Sequence, residues 1–167
     1  MKLGIDVHGI ISRDPLFFSE LSKIFIREGH QIHIITGRRV TPLLKAYLDS
    51  YKIYYTRIFS IIDYHLSIGT KVTYKDPDNP WIDQDLWNKA KAEYCEQEKI
   101  DFHIDDSEVY GNYFKTPYCR IRYDLRCFEW VFNGQSGAFV FNVPESIYKY
   151  ILEIVENIQK HNKNNNI

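Results

Sequence analysis

The sequence is short of cysteine and has no long apolar run. Its 167 residues include three cysteines, at Cys95, Cys119 and Cys127. An odd count without a CxxC spacing argues against a disulfide framework or a zinc knuckle, so we expect buried, reduced thiols. No apolar run approaches the ~20 residues of a membrane helix, and the start, MKLGIDVHG, does not resemble a signal peptide. We therefore expect a soluble, cytoplasmic protein without a membrane partner.

Charge of one sign is not in excess either. Lys and Arg number 21 and Asp and Glu number 22, which gives a formal net charge of −1. This balance argues against a general nucleic-acid binder, which needs a clustered basic surface, but it leaves room for a small phosphate site. The chain is rich instead in apolar residues (44%) and aromatic residues (16%), enough to form a core.

Apolar runs alternate with helical patterns along most of the chain, which predicts an α/β fold with a parallel sheet covered on both faces. Helices are expected to follow capping residues at Asp14, Thr41 and Asp83 and to end near Gly29, Ser50 and Lys99. We predict five strands, at Lys2–Val7, Ile32–Ile35, Lys52–Phe59, Ile100–Ile104 and Tyr118–Tyr123.

The C-terminal third has a different pattern. Residues 128–142 predict a β-hairpin around the loop Asn133–Gly137, and Pro144 opens a last helix. The apolar stripe of this helix consists of Ile147, Ile151, Ile154, Val155 and Ile158. We expect one domain over residues 1–160, with a core at 1–123, the hairpin and helix appended at 128–160, and a disordered tail at 161–167.

The segment from Ile61 to Ile82 predicts a long loop, which is either a flap over a functional site or a plain surface loop. Its stretch DPDNPWIDQDLW has the acidic spacing of a calcium loop. The central glycine and closing glutamate of such a loop are missing, so calcium binding is not expected there.

Three polar clusters fall at the predicted carboxyl ends of strands. They are Asp6-Val7-His8-Gly9, Thr36-Gly37-Arg38 and Asp105-Asp106-Ser107. Alone, each is typical of a turn or a helix cap. Ligands of open parallel sheets bind beyond the carboxyl ends of the strands, so we expect the three clusters to converge.

Converging carboxylates repel one another unless a cation lies between them. Asp6, Asp105 and Asp106 offer hard oxygen ligands, which suit Mg²⁺. The hydroxyl of Thr36 and the amide of Gly37 can hold a phosphate, because glycine allows a close approach. A lysine would complete the neutralisation of charge.

At these clusters the sequence resembles the haloacid dehalogenase (HAD) superfamily of phosphatases. The stretches LGIDVHGII, IHIITGRR and IDFHIDDSEVY look like its first, second and fourth motifs, and KAKAEYCEQEKIDFHIDDS resembles its lysine-bearing helix. The resemblance covers about Lys2 to Tyr123. It implies a Rossmann-like three-layer sandwich with a mainly parallel five-stranded sheet in the order 3-2-1-4-5, counted along the five predicted strands.

The resemblance also implies roles for individual residues. Asp6 would be the nucleophile that forms an aspartyl-phosphate, and Thr36 and Gly37 would hold the phosphoryl oxygens. Mg²⁺ would be bound by Asp6, by the backbone carbonyl of His8, by Asp105 and, directly or through water, by Asp106. Lys91 would neutralise charge, with Lys89 as the competing candidate; KAEYC is more similar to the family pattern and favours Lys91.

His8 departs from the family, whose phosphatases have aspartate two residues after the nucleophile. Imidazole titrates near neutral pH, so His8 can replace that acid/base. The alternative is a catalytically impaired, regulatory protein that binds phosphate or a nucleotide.

The expected substrate is a small phosphorylated metabolite or a nucleotide. Arg38 or Arg39 either reaches its phosphate or is solvated.

The spacing of the motifs leaves no room for a large cap domain. Asp6 and Thr36 are separated by one crossover helix, and the residues between Thr36 and Lys91 hold little more than a helix, a strand and the loop. Such a site stays open unless something covers it. A second copy of the chain, docked through the aromatic hairpin, is one candidate partner.

Overall fold

A sheet of seven strands lies at the centre of the computed structural model, which describes residues 1–74 and 80–164. In chain order the strands are β1 (Lys2–Ile5), β2 (Gln31–Thr36), β3 (Arg57–Ser60), β4 (Thr73–Tyr74), β5 (Pro80–Trp81), β6 (Phe102–Asp105), β7 (Tyr118–Arg122), β8 (Cys127–Phe132) and β9 (Gln135–Val140). The sheet runs β3-β2-β1-β6-β7-β8-β9, and β4 and β5 form a separate antiparallel ribbon.

The fold is mixed α/β with a mostly parallel sheet, as predicted, but the sheet has seven strands and not five, so the predicted order 3-2-1-4-5 is incomplete. Strands β3, β2, β1, β6 and β7 pair in parallel, and β8 and β9 then add two antiparallel strands. Without the hairpin, the outer edge of β7 would expose unpaired backbone N–H and C=O groups; β8 forms hydrogen bonds with them. The hairpin is therefore part of the sheet.

The described residues contain five α-helices, of which four connect strands and the last follows β9, and side chains cap most of their N-termini. They are α1 (Pro15–Arg27), α2 (Pro42–Ser50), α3 (Ile61–Ser67), α4 (Gln84–Gln97) and α5 (Pro144–Asn164). Asp14, Thr41 and Asp83 accept hydrogen bonds from backbone N–H groups of the first turns of α1, α2 and α4. The predicted cap positions are confirmed.

Both faces of the sheet are covered. Ile34 packs in the main core with α1 and α5, whereas the next residue, Ile35, packs with Cys95 of α4. Successive strand residues point to opposite faces, so helices cover both sides. The main core is strongly aromatic, and Phe17, Phe128 and Phe141 lie in mutual contact there.

Two strand boundaries differ from the prediction because of left-handed residues. The expected strand Lys52–Phe59 begins only at Arg57, since Lys52 has φ of 55° and closes the C-terminus of α2. The hairpin turn has two residues, Asn133 and Gly134, with φ of 46° and 76°. Such a turn suits the twist of a hairpin, so Gln135–Gly137 belongs to β9 and not to a loop.

The segment 61–82 and the C-terminus also need correction. Residues 61–82 include α3, capped by Ser60, and the ribbon of β4 and β5, so the segment is not a plain loop. The predicted disordered tail is helical through Asn164. Most of the predicted acidic loop positions (75–79) and residues 165–167 lie outside the described residues.

The expectation for the cysteines holds for two of the three. Cys95 and Cys119 are buried free thiols, whereas Cys127, at the start of β8, is partly exposed. Within residues 1–74 and 80–164, no helix combines the length with the apolar character needed to cross a bilayer.

A buried histidine predicts how stability depends on pH. His33 lies inside β2, and its Nδ1 is 2.8 Å from the hydroxyl of Tyr94. Burial lowers the pKa of His33 below its ordinary 6.5; Glu98 acts in the opposite direction, and Lys2 and Arg57 lower the pKa further. The unfolded chain therefore binds the proton more tightly, and the stabilisation from neutral His33 is lost as pH falls below about 6.5.

We expect the free energy of unfolding to fall less steeply between pH 7.5 and 5 in His33→Gln than in the wild type. Urea unfolding at a series of pH values measures this slope. His161→Gln, on the exposed part of α5, is the matched control and should keep the wild-type slope. An unchanged slope in His33→Gln would contradict the prediction.

Candidate functional site

The three polar clusters meet at one edge of the sheet. Strand β1 lies between β2 and β6, so the residues at the carboxyl ends of these strands become neighbours. The backbone N–H of Asp6 donates to the carbonyl of Ile104 at 3.0 Å, which places Asp6 beside Asp105. Thr36 ends β2 on the other side of β1.

Lys91, from the middle of α4, reaches into this edge. Its Nζ lies 2.9 Å from Oδ1 of Asp6 and 2.7 Å from Oδ2 of Asp105. All three side chains are at least 94% buried. Lys89, two residues earlier, points to another side of the helix and is exposed. The structure thus brings Lys91, and not Lys89, to the two carboxylates.

The charges of this buried group depend on one another. Burial and the neighbouring Asp105 raise the pKa of Asp6 to about 7, although Lys91 acts in the opposite direction. Burial also opposes ionisation of Asp105, but Lys91 and His103 outweigh it and hold its pKa well below the ordinary value. The two carboxylates in turn raise the pKa of Lys91 against the effect of burial, so the lysine stays charged.

Asp105 accepts four hydrogen bonds. Lys91 Nζ and His103 Nε2 lie 2.7 and 3.2 Å from Oδ2, and the backbone N–H groups of Asp106 and Ser107 donate to Oδ1 at 2.9 and 3.0 Å. These bonds use the acceptor capacity of both oxygens. A cation bound directly to Asp105 would compete with Lys91.

The donor set fits a hard cation. Asp6, Asp105 and Asp106 each offer one oxygen, and these oxygens lie within 4.8 Å of one another. Among the described residues, Oδ1 of Asp6 accepts no well-aligned hydrogen bond, although Lys91 is close. Asp106 is more exposed, and burial together with Asp105 raises its pKa. Asp6 and Asp106 therefore have the least engaged oxygens for a metal ion.

A tight turn over Val7–Ile11 follows Asp6 and presents His8. His8 is extended and half-buried, and burial, then Arg38 and Lys91, lowers the pKa of its imidazole. Gly9 has φ of 79°, and a Cβ there would lie 1.8 Å from Oδ2 of Asp106. Glycine is required at this position because a side chain would collide with the carboxylate.

On the other side of β1, Thr36 and Gly37 are both buried. The Thr36 hydroxyl accepts a hydrogen bond from the N–H of Arg38 at 3.3 Å, which leaves its proton free to donate. Arg38 is exposed, near enough to His8 to influence its charge. Arg39 turns away and pairs with Asp63 at 3.0 Å.

Some residues of the site were missed at the level of sequence. His103 shares a sheet face with Asp105, two residues on, and Trp87 shares a helix face with Lys91, four residues on. These spacings could have identified both. The contact of Tyr110 with Trp87, a 2.6 Å hydrogen bond from the indole N–H to the phenol oxygen, leaves no signal in the sequence.

No model of a known protein family matches the chain, and no curated protein matches it either. The resemblance to the HAD superfamily therefore stays a prediction that rests on the motifs.

Lys91 gives a direct test of the buried ion group. We expect Lys91→Met to destabilise the fold by about 3–5 kcal/mol, because it leaves two buried carboxylates without their shared cation. Lys89→Met, on the exposed side of the same helix, should cost less than about 0.5 kcal/mol. Urea unfolding at neutral pH measures both; similar values for the two variants would contradict the geometry.

Proposed function

We propose that this chain is a Mg²⁺-dependent phosphomonoesterase of the HAD superfamily that acts through an aspartyl-phosphate on Asp6. The observation that carries the proposal is the buried contact of Lys91 with both Asp6 and Asp105. A lysine placed between two carboxylates at a strand edge can compensate an incoming phosphate beside a nucleophile.

In the proposed reaction, an oxygen of Asp6 attacks phosphorus and the bond from phosphorus to the ester oxygen breaks. The leaving oxygen takes up a proton and departs as an alcohol. Water then attacks the aspartyl-phosphate, which releases inorganic phosphate and restores the carboxylate. The incomplete hydrogen bonding of Asp6 Oδ1 supports its role as the reacting oxygen.

The phosphoryl group would be held by residues at the end of β2 and on α4. The hydroxyl of Thr36 accepts a hydrogen bond from the Arg38 N–H and keeps its own proton, which it can donate to a phosphoryl oxygen. The Gly37 amide can approach closely, and Lys91 supplies positive charge. These donors are buried or held by hydrogen bonds, so little reorganisation is needed when charge develops.

Asp6, Asp106, the backbone carbonyl of His8 and Asp105 are the residues that would hold Mg²⁺. When bound, the ion would supply Lewis-acid stabilisation of the phosphoryl oxygens. The saturated hydrogen bonding of Asp105 supports a smaller role for it than for Asp6 and Asp106, as a carboxylate that fixes Lys91 in place.

Replacing the nucleophile tests the enzyme. We expect Asp6→Asn to lower Mg²⁺-dependent hydrolysis of 4-nitrophenyl phosphate by roughly 10³-fold or more, since an amide cannot form the acyl-phosphate. Asp124→Asn, an exposed carboxylate that pairs with Arg122 in the turn after β7, is the matched control. If the wild type hydrolyses no ester of a phosphate panel faster than Asp6→Asn does, the proposed phosphatase activity is excluded.

His8 decides how fast the proposed enzyme turns over. As the general acid/base it would contribute about 10²–10⁴-fold, so we expect His8→Ala to lower kcat by that factor. His8→Asp should keep most of the activity, because a carboxylate can carry the same proton. Steady-state kinetics with the same ester measures both variants. A rate in His8→Ala equal to that of the wild type would remove His8 from the mechanism.

The environment of His8 also favours a second candidate, a protein that binds phosphate or a nucleotide without turnover. Burial and two nearby cations favour neutral imidazole, which is a poor proton donor to a leaving group. Calorimetric titration with inorganic phosphate and Mg²⁺ separates the candidates. The second candidate is favoured if the wild type binds phosphate but has no phosphatase activity, and if Lys91→Met abolishes that binding.

A further inference from the structure

Three aromatic side chains form a contiguous group beside the candidate phosphate site; we name Trp81, Trp87 and Tyr110 the aromatic wall. The indole rings of Trp81, from β5, and Trp87, from α4, are stacked, with centroids 4.5 Å apart and an angle of 19°. The indole N–H of Trp87 donates to the hydroxyl of Tyr110 at 2.6 Å. Strand β5, helix α4 and the short 3-10 helix Tyr110–Tyr113 thus each contribute one residue to the aromatic wall.

The aromatic wall begins at the residues proposed to hold the phosphate. A Cβ on Gly37 would lie 2.7 Å from Cζ2 of Trp87, so the edge of the indole lies against the Gly37 backbone. The Nζ of Lys91 lies 5.1 Å from the centre of the Tyr110 ring, over its face. Two of the three phosphate-holding groups therefore have an aromatic neighbour.

The aromatic wall is not sealed inside the core. All three side chains are intermediate in exposure, so each keeps some surface that solvent reaches. The phenylalanines Phe18, Phe25, Phe102 and Phe128 of the core are, by contrast, completely buried. Aromatic surface that is held by stacking and a hydrogen bond, yet open at a site rim, can receive a ligand ring with little loss of side-chain freedom.

We propose that the aromatic wall binds the organic group of the ligand, and that the ligand is a small phosphate monoester carrying a flat aromatic ring. The proposal rests on the proposed function for the position of the phosphate. Aromatic rings gain from offset or edge contacts that a saturated ring of equal size does not make. The ring can come from a nucleobase or from a simple aryl group, since both present the same π-face.

The test compares ligands that are not hydrolysed and differ only in the planarity of the ring. Phenylphosphonate and cyclohexylphosphonate are titrated into the full chain with Mg²⁺ by calorimetry. We expect phenylphosphonate to bind about 2–10-fold more tightly, the range that one aromatic contact gives. A second pair, adenosine 5′-monophosphate and ribose 5-phosphate, is titrated into Asp6→Asn and tells a nucleobase from an aryl source.

Two variants of the aromatic wall and one control make the test specific. In Trp87→Leu and in Trp81→Leu the preference for phenylphosphonate should fall to about one. Trp81 lies on β5 and is not part of α4, so Trp81→Leu keeps the test open if Trp87→Leu does not fold. Trp130→Leu, on β8, removes a tryptophan that packs on Gly137 and should keep the preference.

The outcomes separate this proposal from the enzymatic one. Preferential binding of phenylphosphonate without hydrolysis of any ester supports the aromatic wall and excludes the phosphatase. Hydrolysis together with equal binding in both ligand pairs overturns the aromatic wall and leaves the phosphatase. A preference that survives both Trp81→Leu and Trp87→Leu also overturns it, and no binding of any phosphonate or phosphate overturns both.

Discussion

One buried ion group, Lys91 between Asp6 and Asp105, constrains everything around it. A charged lysine in the interior is tolerated only when carboxylates compensate its charge. Two buried carboxylates whose oxygens lie within 4.8 Å of one another are tolerated only when a cation lies between them. The group therefore joins α4 to the ends of β1 and β6. It also fixes which face of α4 meets the sheet, and with it the places of Trp87 and Lys89. The same contacts that close the fold at this edge prepare it for an anion.

Much of the outline could be predicted because it is encoded locally. The caps at Asp14, Thr41 and Asp83 and the apolar strands are signals within a few residues. The extension of the sheet was not predictable in this way, because β8 joins it through an edge that no periodicity describes. A two-residue turn at Asn133 was hidden by the small residues that follow it, which resemble a longer loop.

The candidate site, too, could be predicted only in part. Sequence order and strand ends brought Asp6, Thr36 and Asp105 to one edge in the prediction, and the structure places them there. Which oxygens are already engaged is decided by side-chain packing, as is the approach of an indole to Gly37. These features depend on residues far apart in the chain. The sequence around Asp105 does not indicate whether the oxygens of its carboxylate already accept hydrogen bonds.

The central position of β1 has a consequence for how the molecule folds. The first strand of the chain is flanked by β2 and β6, so Leu3 is hydrogen-bonded next to Phe102. Contacts between such distant residues require a large loop to close, which slows folding compared with chains that have mainly local contacts. The residue proposed as the nucleophile, Asp6, is synthesised before β6, so its surroundings cannot assemble until β6 has emerged. The hairpin of β8 and β9, in contrast, has only local contacts and can form quickly once it has been synthesised.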